Sequence, residues 1–410
     1  MTQSLPLDGV LILEVSLLGP AAVTNALVDL GAAVIKVESP SGDYVRQMTW
    51  PIVEGTSLMH LHVNRGKRSI VLDLKSDDGK AIFRSLAAKA DAVVEAMRPG
   101  ALAKLGLGYD DLRADHPELV FLTISGYGMT GPYKDLPSHG VAYDTWAGIV
   151  RPVMDTEGFW ELPEHTSIGI NAGPLFGAVG ILAGIVQARA TGQGTFLELA
   201  QSDAAAAFDW YRSESYKAYE RPESEVTGNA SDNYERRAPG TAGMKGGVRY
   251  QVYESADGFV LFMASEQLFW KNFCAGIDRL DLFERWPGAT YADHARNNRE
   301  LQAELRDIFL TRTSADWLAF ANDHNTTIAP VNTPHTLGDD PQFAERLGWL
   351  SADALGAEQL PFPVKVVGGG SAPVPGRAPT QGEHTDDVLR DVLGLDADAI
   401  ATLRADGVIA

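Results

Sequence analysis

Val10-Leu-Ile-Leu-Glu-Val15, interrupted by Gly19-Pro20 and followed by Ala32-Ala-Val-Ile-Lys-Val37, decides how this chain folds. Both apolar runs are too short for helices and are bounded by turn residues, the pattern of strands buried on both faces. Ala21 to Asp29 between them carries a helical pattern, so the opening unit reads β-α-β. Outward from it, Ser69–Leu74, Ala92–Glu95 and Leu119–Ile124 repeat the strand signal. Asp77 to Ala90 reads as a helix with Ile82, Phe83, Leu86 and Ala87 on one face. Strands alternating with helices argue for a mostly parallel sheet wrapped by helices.

The arrangement is Rossmann-like, yet no G-x-G-x-x-G follows the first strand, so a nucleotide redox cofactor is not expected. Gly173 to Ala190 reads as a long buried helix of small and apolar residues, stopped by Thr191-Gly-Gln-Gly194, with a strand restarting over Phe196–Leu199. Phe208 to Tyr219 reads as a connecting helix, and Glu220 to Gly247 as a long loop. The segment from Tyr250 has a hairpin signature around Ala256-Asp257-Gly258. Helical patterns follow to about Asp323, and Glu383 to Ala410 is amphipathic.

Composition narrows the function. The chain has 410 residues, 45% hydrophobic and 21% charged, which fits a globular protein of two or more domains. Lys plus Arg number 34 against 54 Asp plus Glu, a formal net charge of -20, so nucleic acid and anionic membranes are poor partners. The single Cys274 excludes a disulfide framework and a cysteine zinc site. The nine His show no paired ligand spacing, so no metal is expected. The opening MTQSLPLDGV lacks a basic region leading into an apolar run, and no stretch reads as a membrane span of ~18 residues, so a cytoplasmic location is expected.

Against that acidic background, Asn64-Arg-Gly-Lys-Arg-Ser69 gathers three cations around a glycine before a strand, the chemistry of a phosphate-binding loop or of a solvated turn. Pro239 to Gly247 is glycine-rich, suited to a flap over a ligand or to a flexible linker.

Several stretches together resemble the family III CoA-transferases, a group that includes carnitine and formyl-CoA transferases and 2-methylacyl-CoA racemases. They are Gly31-Ala-Ala-Val-Ile-Lys-Val-Glu38, Asn64 to Lys75, Arg98 to Tyr109, Ser125-Gly-Tyr-Gly-Met-Thr-Gly-Pro132, Gly180-Ile-Leu-Ala183, Thr191-Gly-Gln-Gly194 and Gly382-Glu-His-Thr-Asp-Asp-Val-Leu389. The resemblance implies an α/β fold: a large Rossmann-like domain built from both chain ends, a smaller α+β domain, and two subunits interlocked as a ring-like dimer. The boundaries expected are 1–205 for the large CoA-binding domain, 206–247 for a linker and glycine loop, 248–330 for the small domain, and 331–410 for the return to the large domain.

It also implies CoA or acyl-CoA as a substrate. The matching contacts are Leu72, Lys75, Met97, Arg98 and Lys104, with Lys36 and Arg65 for the phosphates, and Gly240, Gly243, Gly246 and Gly247 for a loop over the thioester. The family's transferases attack the thioester with an Asp, which serves first as nucleophile and then as leaving group. Counted back from Gly180, that position falls on Ile170, between Gly169 and Asn171. Asp155, Glu157, Glu161 and Glu164 are the nearby carboxylates that stand in reserve. Ala96 replaces the usual Asn, and the turn before Gly19-Pro20 is two residues shorter, carrying Leu17-Leu18.

The implied function is therefore the non-catalytic subunit of a heteromeric CoA-transferase, such as succinyl-CoA:benzylsuccinate CoA-transferase of aromatic degradation, with an Asp-bearing homologue as partner. The alternatives are a racemase or isomerase using His139, a homodimeric transferase with a displaced carboxylate, and an inactive CoA-ester binder.

Overall fold

The computed structural model describes residues 5–48, 50–228, 234, 236, 244–288, 294–367 and 374–410. It divides into two compact units, Met1–Asp209 with Ala344–Ala410, and Trp210–Phe343.

The first unit holds a six-stranded parallel sheet. Its strands are β1 (Leu11–Ser16), β2 (Ala33–Glu38), β3 (Arg68–Val71), β4 (Ala92–Ala96), β5 (Val120–Ser125) and β6 (Phe196–Ala200), in the order β6-β5-β4-β1-β2-β3. The chain therefore winds outward from β1 in one direction, then returns and winds in the other. That doubly wound order leaves a switch point between β1 and β4, where Ser16 lies opposite Ala96.

The inner strands read as mostly apolar runs because both sheet faces are covered there, whereas the edge strand β6 stays partly exposed. On one face Leu13, Ile35, Ile70, Val93 and Phe121 pack under the Asp77–Ala87 helix, with Val388, Leu389 and Ile400 of the C-terminal segment joining them. That segment is stitched to β3 and the turn after it by backbone bonds from His384 to Ser69 and from Asp73 to Val408. On the other face Ile12, Val34, Val94, Leu122 and Ile124 meet α1 (Ala22–Asp29) and a 23-residue helix, Gly169–Thr191.

This long helix corrects two expectations. It begins at Gly169, four residues before the expected Gly173, because its first turn is capped from another part of the chain. It is also long and apolar enough to cross a membrane by length and composition, yet about half of its apolar stretch is buried within the protein. Gly177 and Gly184 explain the burial, since a Cβ at either would press on Val23 and Leu122 or on Val120. Small residues let this helix lie directly on the sheet.

The second unit has a three-stranded antiparallel sheet of Gln251–Glu254, Phe259–Phe262 and Ile328–Pro330, the central strand being Phe259–Phe262. Helices Gln267–Gly276, Arg299–Phe309 and Ser314–His324 enclose an aromatic core of Trp270, Phe273, Phe309, Trp317 and Phe320. Cys274 is buried in that core, and burial pushes its thiol up to about 12, so it is inert at neutral pH.

Candidate active site

In an open parallel sheet, ligands bind beyond the carboxyl ends of the strands at the switch point. Here that crevice is bounded by the Leu17-Leu18-Gly19-Pro20 turn after β1 and by Met97-Arg98 after β4. Met97 and Arg98 are exposed, and so are Lys75, just beyond β3, and Lys104, on the short helix Ala101–Lys104. None of Lys75, Arg98 and Lys104 has an ion-pair partner among the described residues, so three cations stand on this edge of a strongly acidic protein. Leu72 is placed differently from the expectation: its side chain is in the core and its amide bonds to the Glu38 carbonyl, leaving only main chain to meet a ligand.

The expected phosphate loop is corrected. Asn64, Arg65 and Lys67 are fully buried. Arg65 pairs with Asp29 and donates to the Gln359 side chain and the Leu360 carbonyl. Lys36 is also buried; its Nζ lies 3.0 Å from Asp43 and 3.6 Å from Glu14, and donates to the Ser16 carbonyl at 2.7 Å. Lys67 Nζ donates to Glu14 at 2.8 Å and to the Ala21 carbonyl at 2.7 Å. Protein carboxylates and carbonyls therefore consume these charges. A solvent-borne phosphate finds Lys36 and Arg65 already paired.

Electrostatics follow from the burial. Desolvation alone would raise the Glu14 carboxyl, but Lys67 and Lys36 beside it win and hold it below its ordinary value. Burial lowers the Lys67 ammonium to about 8 against the pull of Glu14, so the pair remains ionised at neutral pH. Next to this cluster, Arg46 pairs with Glu38 and contacts His60, whose ring also meets the Asn64 amide. Burial, then Arg46, holds His60 down to about 4, so the neutral ring is the folded form.

The Gly169–Thr191 helix brings Ile170 to the crevice. A Cβ on Gly19 would lie 3.7 Å from Ile170 Cβ, and one on Gly140 would lie 2.9 Å from Ile170 Cγ2. The side chain thus sits between two glycine backbones, and only a residue without a Cβ fits opposite it at 140. Pro174 has no amide hydrogen to offer the Ile170 carbonyl four residues earlier. Asn171 points outward and its amide donates to the Ser167 carbonyl.

The nearest carboxylate to this helix start is one the sequence reading passed over. Asp144, on the Gly140–Trp146 helix, is fully buried and accepts from the Ile168 amide at 3.1 Å and the Gly169 amide at 2.8 Å. It satisfies amides that a helix start leaves open and sits at the positive end of the helix, a capping role worth about 1–2 kcal/mol. His165 Nε2 lies 3.4 Å from it. Asp144 lies inside the Gly140–Trp146 helix, and capping across 24 residues is invisible to local spacing.

The reserve carboxylates are elsewhere. Asp155 accepts from the Glu157 and Phe159 amides within a small hairpin, and Glu157, Glu161 and Glu164 are exposed. His139 is exposed at the N-terminal end of the Gly140–Trp146 helix, next to Gly140. Gly246 and Gly247 belong to the second unit, where Gly246 closes a 3-10 turn and the Gly247 amide bonds to the Met244 carbonyl. Gly240 and Gly243 lie outside the described residues. Among the described residues no group of His, Cys, Asp and Glu forms a metal cluster.

Fold and crevice define a doubly wound α/β protein with a cationic rim on the ligand edge of its sheet. The family model for CoA-transferase family III matches residues 7–385, and the chain belongs to that family. Succinyl-CoA:glutarate CoA-transferase of Homo sapiens is 29% identical over 414 residues, covering 100% of this chain and 91% of its own length. Succinyl-CoA–L-malate CoA-transferase beta subunit of Chloroflexus aurantiacus is 29% identical over 430 residues, covering 100% and 99%. Among solved structures, a CAIB/BAIF family protein from Brucella suis superposes with a TM-score of 0.76 at 26% identity, covering 95% of this chain and 100% of that one.

Proposed function

We propose that this chain is the subunit of a heteromeric family III CoA-transferase that receives an acyl-CoA thioester but supplies no nucleophile. The observation that carries the reading is Ile170, an aliphatic side chain in the first helical turn, wedged against Gly19 and Gly140. An alkyl group cannot attack a thioester, and neither Asn171 nor the amide-bonded Asp144 offers a free carboxylate beside it. That a similar protein is named as a beta subunit supports a two-chain assembly.

In this reading the CoA phosphates rest on Arg98, Lys104 and Lys75, with Met97 against the apolar part of the ligand. The reaction itself passes through the partner subunit. Its Asp oxygen bonds to the thioester carbonyl and CoA leaves as the thiolate, giving a mixed anhydride. The thiolate then takes the aspartyl carbonyl, the first acid departs, and the incoming acid carboxylate repeats the exchange. A benzylsuccinate-type acid as acceptor is the finer reading; its support is the exposed aromatic side chains of Phe208, Trp210 and Tyr211. The cytoplasm is the proposed location, on the acidic charge and the single cysteine.

The test is chemical trapping. In a complex of this chain with an Asp-bearing homologue, supplied with acyl-CoA, hydroxylamine or borohydride marks the carboxylate that carried the thioester. The mark is expected on the partner's peptide and not on residues 155–185 of this chain. A mark on any carboxylate here would replace this reading with a homodimeric transferase using a displaced nucleophile.

A further inference from the structure

One residue at the crevice has a backbone its side chain disfavours. Leu18 has φ 58° and ψ -145°, near the first corner of a type II′ turn, a place normally taken by glycine. Strain of this kind persists only when the surroundings over-determine it, and it gathers at ligand sites. The surroundings here are identifiable. On the entry side Lys36 Nζ donates to the Ser16 carbonyl, and the Ser16 hydroxyl donates to Glu14 at 2.5 Å. On the exit side Lys67 Nζ donates to the Ala21 carbonyl, and the Ala21 amide returns to the Leu18 carbonyl at 3.0 Å. Glu14 lies between the two ammonium groups and is bonded by Thr24 as well. All three charged side chains are fully buried.

We propose that Lys36 and Lys67 are positioning residues: gripping the carbonyls on either side of the Leu17–Pro20 turn, they hold Leu18 in its strained conformation and so fix where the acyl end of a bound CoA thioester is received. The proposal rests on the CoA-binding reading above. Its structural ground is the place of the turn, which follows β1 at the switch point, faces Met97-Arg98 across the β1–β4 pair, and abuts Ile170 through Gly19. The turn offers Leu17 and Leu18, both partly exposed, and no polar side chain. The part of the acyl group that meets the turn is therefore an apolar one. The phosphate end is held on the exposed cations, so the turn acts on acyl-CoA and not on free CoA.

The experiment is titration calorimetry of the full chain with CoA and with butyryl-CoA, paired with thermal unfolding. Leu18→Gly relieves the strain without touching the buried charges. It is expected to raise the melting temperature, weaken butyryl-CoA about tenfold and leave CoA unchanged. Lys67→Met, where it folds, is expected to lose the same preference for butyryl-CoA while lowering the melting temperature. A Leu18→Gly chain that is stabilised but keeps its ratio of butyryl-CoA to CoA affinity would show strain with no bearing on the ligand, and the proposal fails while CoA binding stands. A Leu18→Gly chain that is not stabilised removes the strain itself. Binding of neither compound by the unaltered chain removes the CoA-binding reading and this one with it.

Discussion

Two sets of cations in the first unit look alike in the sequence and behave as opposites in the fold. Lys36, Arg65 and Lys67 are buried against Glu14, Asp43 and Asp29. Lys75, Arg98 and Lys104 are exposed and lack ion-pair partners among the described residues. Lys36 lies within β2, Lys104 on the short helix Ala101–Lys104 and the others on loops beside strands of one sheet, and both sets were expected to meet phosphate. A cation in the interior must be neutralised there, because desolvation is too costly to leave uncompensated. A cation on the rim of a protein with net charge -20 is free to hold an anion, and the global field makes such a local patch the place where an anionic ligand can bind. Burial, not residue type, assigns the role.

The comparison is broken most severely by Glu14→Gln. Loss of the carboxylate leaves Lys36 and Lys67 buried around a neutral amide, and the expected cost is about 3–5 kcal/mol of folding stability. Urea unfolding measures it; a loss under about 1 kcal/mol would mean that the cluster is solvated in solution and that the contrast with the rim is false.

Acid sharpens the comparison further. The fold keeps His60 neutral, with a pKa of about 4 against an ordinary 6.5, chiefly through burial. The unfolded chain therefore takes up the proton first. Stability is complete above about pH 6.5, falls as pH drops through that window, and stops changing on this account below about pH 4. The span amounts to about 3 kcal/mol at most. His60→Gln should flatten this part of the stability-pH profile, and an unchanged slope would place its origin in other groups.

The rim gives the smallest expected change in stability. Arg98→Gln and Lys104→Gln should each leave unfolding within about 0.5 kcal/mol of the unaltered chain. Each should weaken CoA about fivefold, as for a contact of about 1 kcal/mol between exposed charges, and flatten the salt dependence of binding. If either variant lost several kcal/mol of stability with CoA affinity intact, that residue would belong with the buried set.

The sequence alone located all six strands of the parallel sheet. A parallel strand covered on both faces must be mostly apolar, and this leaves a local signal at Val10–Val15, Ala32–Val37 and Leu119–Ile124 even though Glu14 and Lys36 interrupt two of the runs. It also carried the family, since the motifs from Gly31 to Leu389 keep their order along the chain. What it lacked was every fact that depends on a distant partner. The strand order that puts β1 beside β4, the capping of Gly169 by Asp144, and the pairing of Lys36 with Asp43 all join residues that come together only when the sheet closes. Local pattern records which faces must leave water. Only the tertiary structure decides which charges leave with them, because a lysine is spelled the same whether its counter-ion is a protein carboxylate or a ligand.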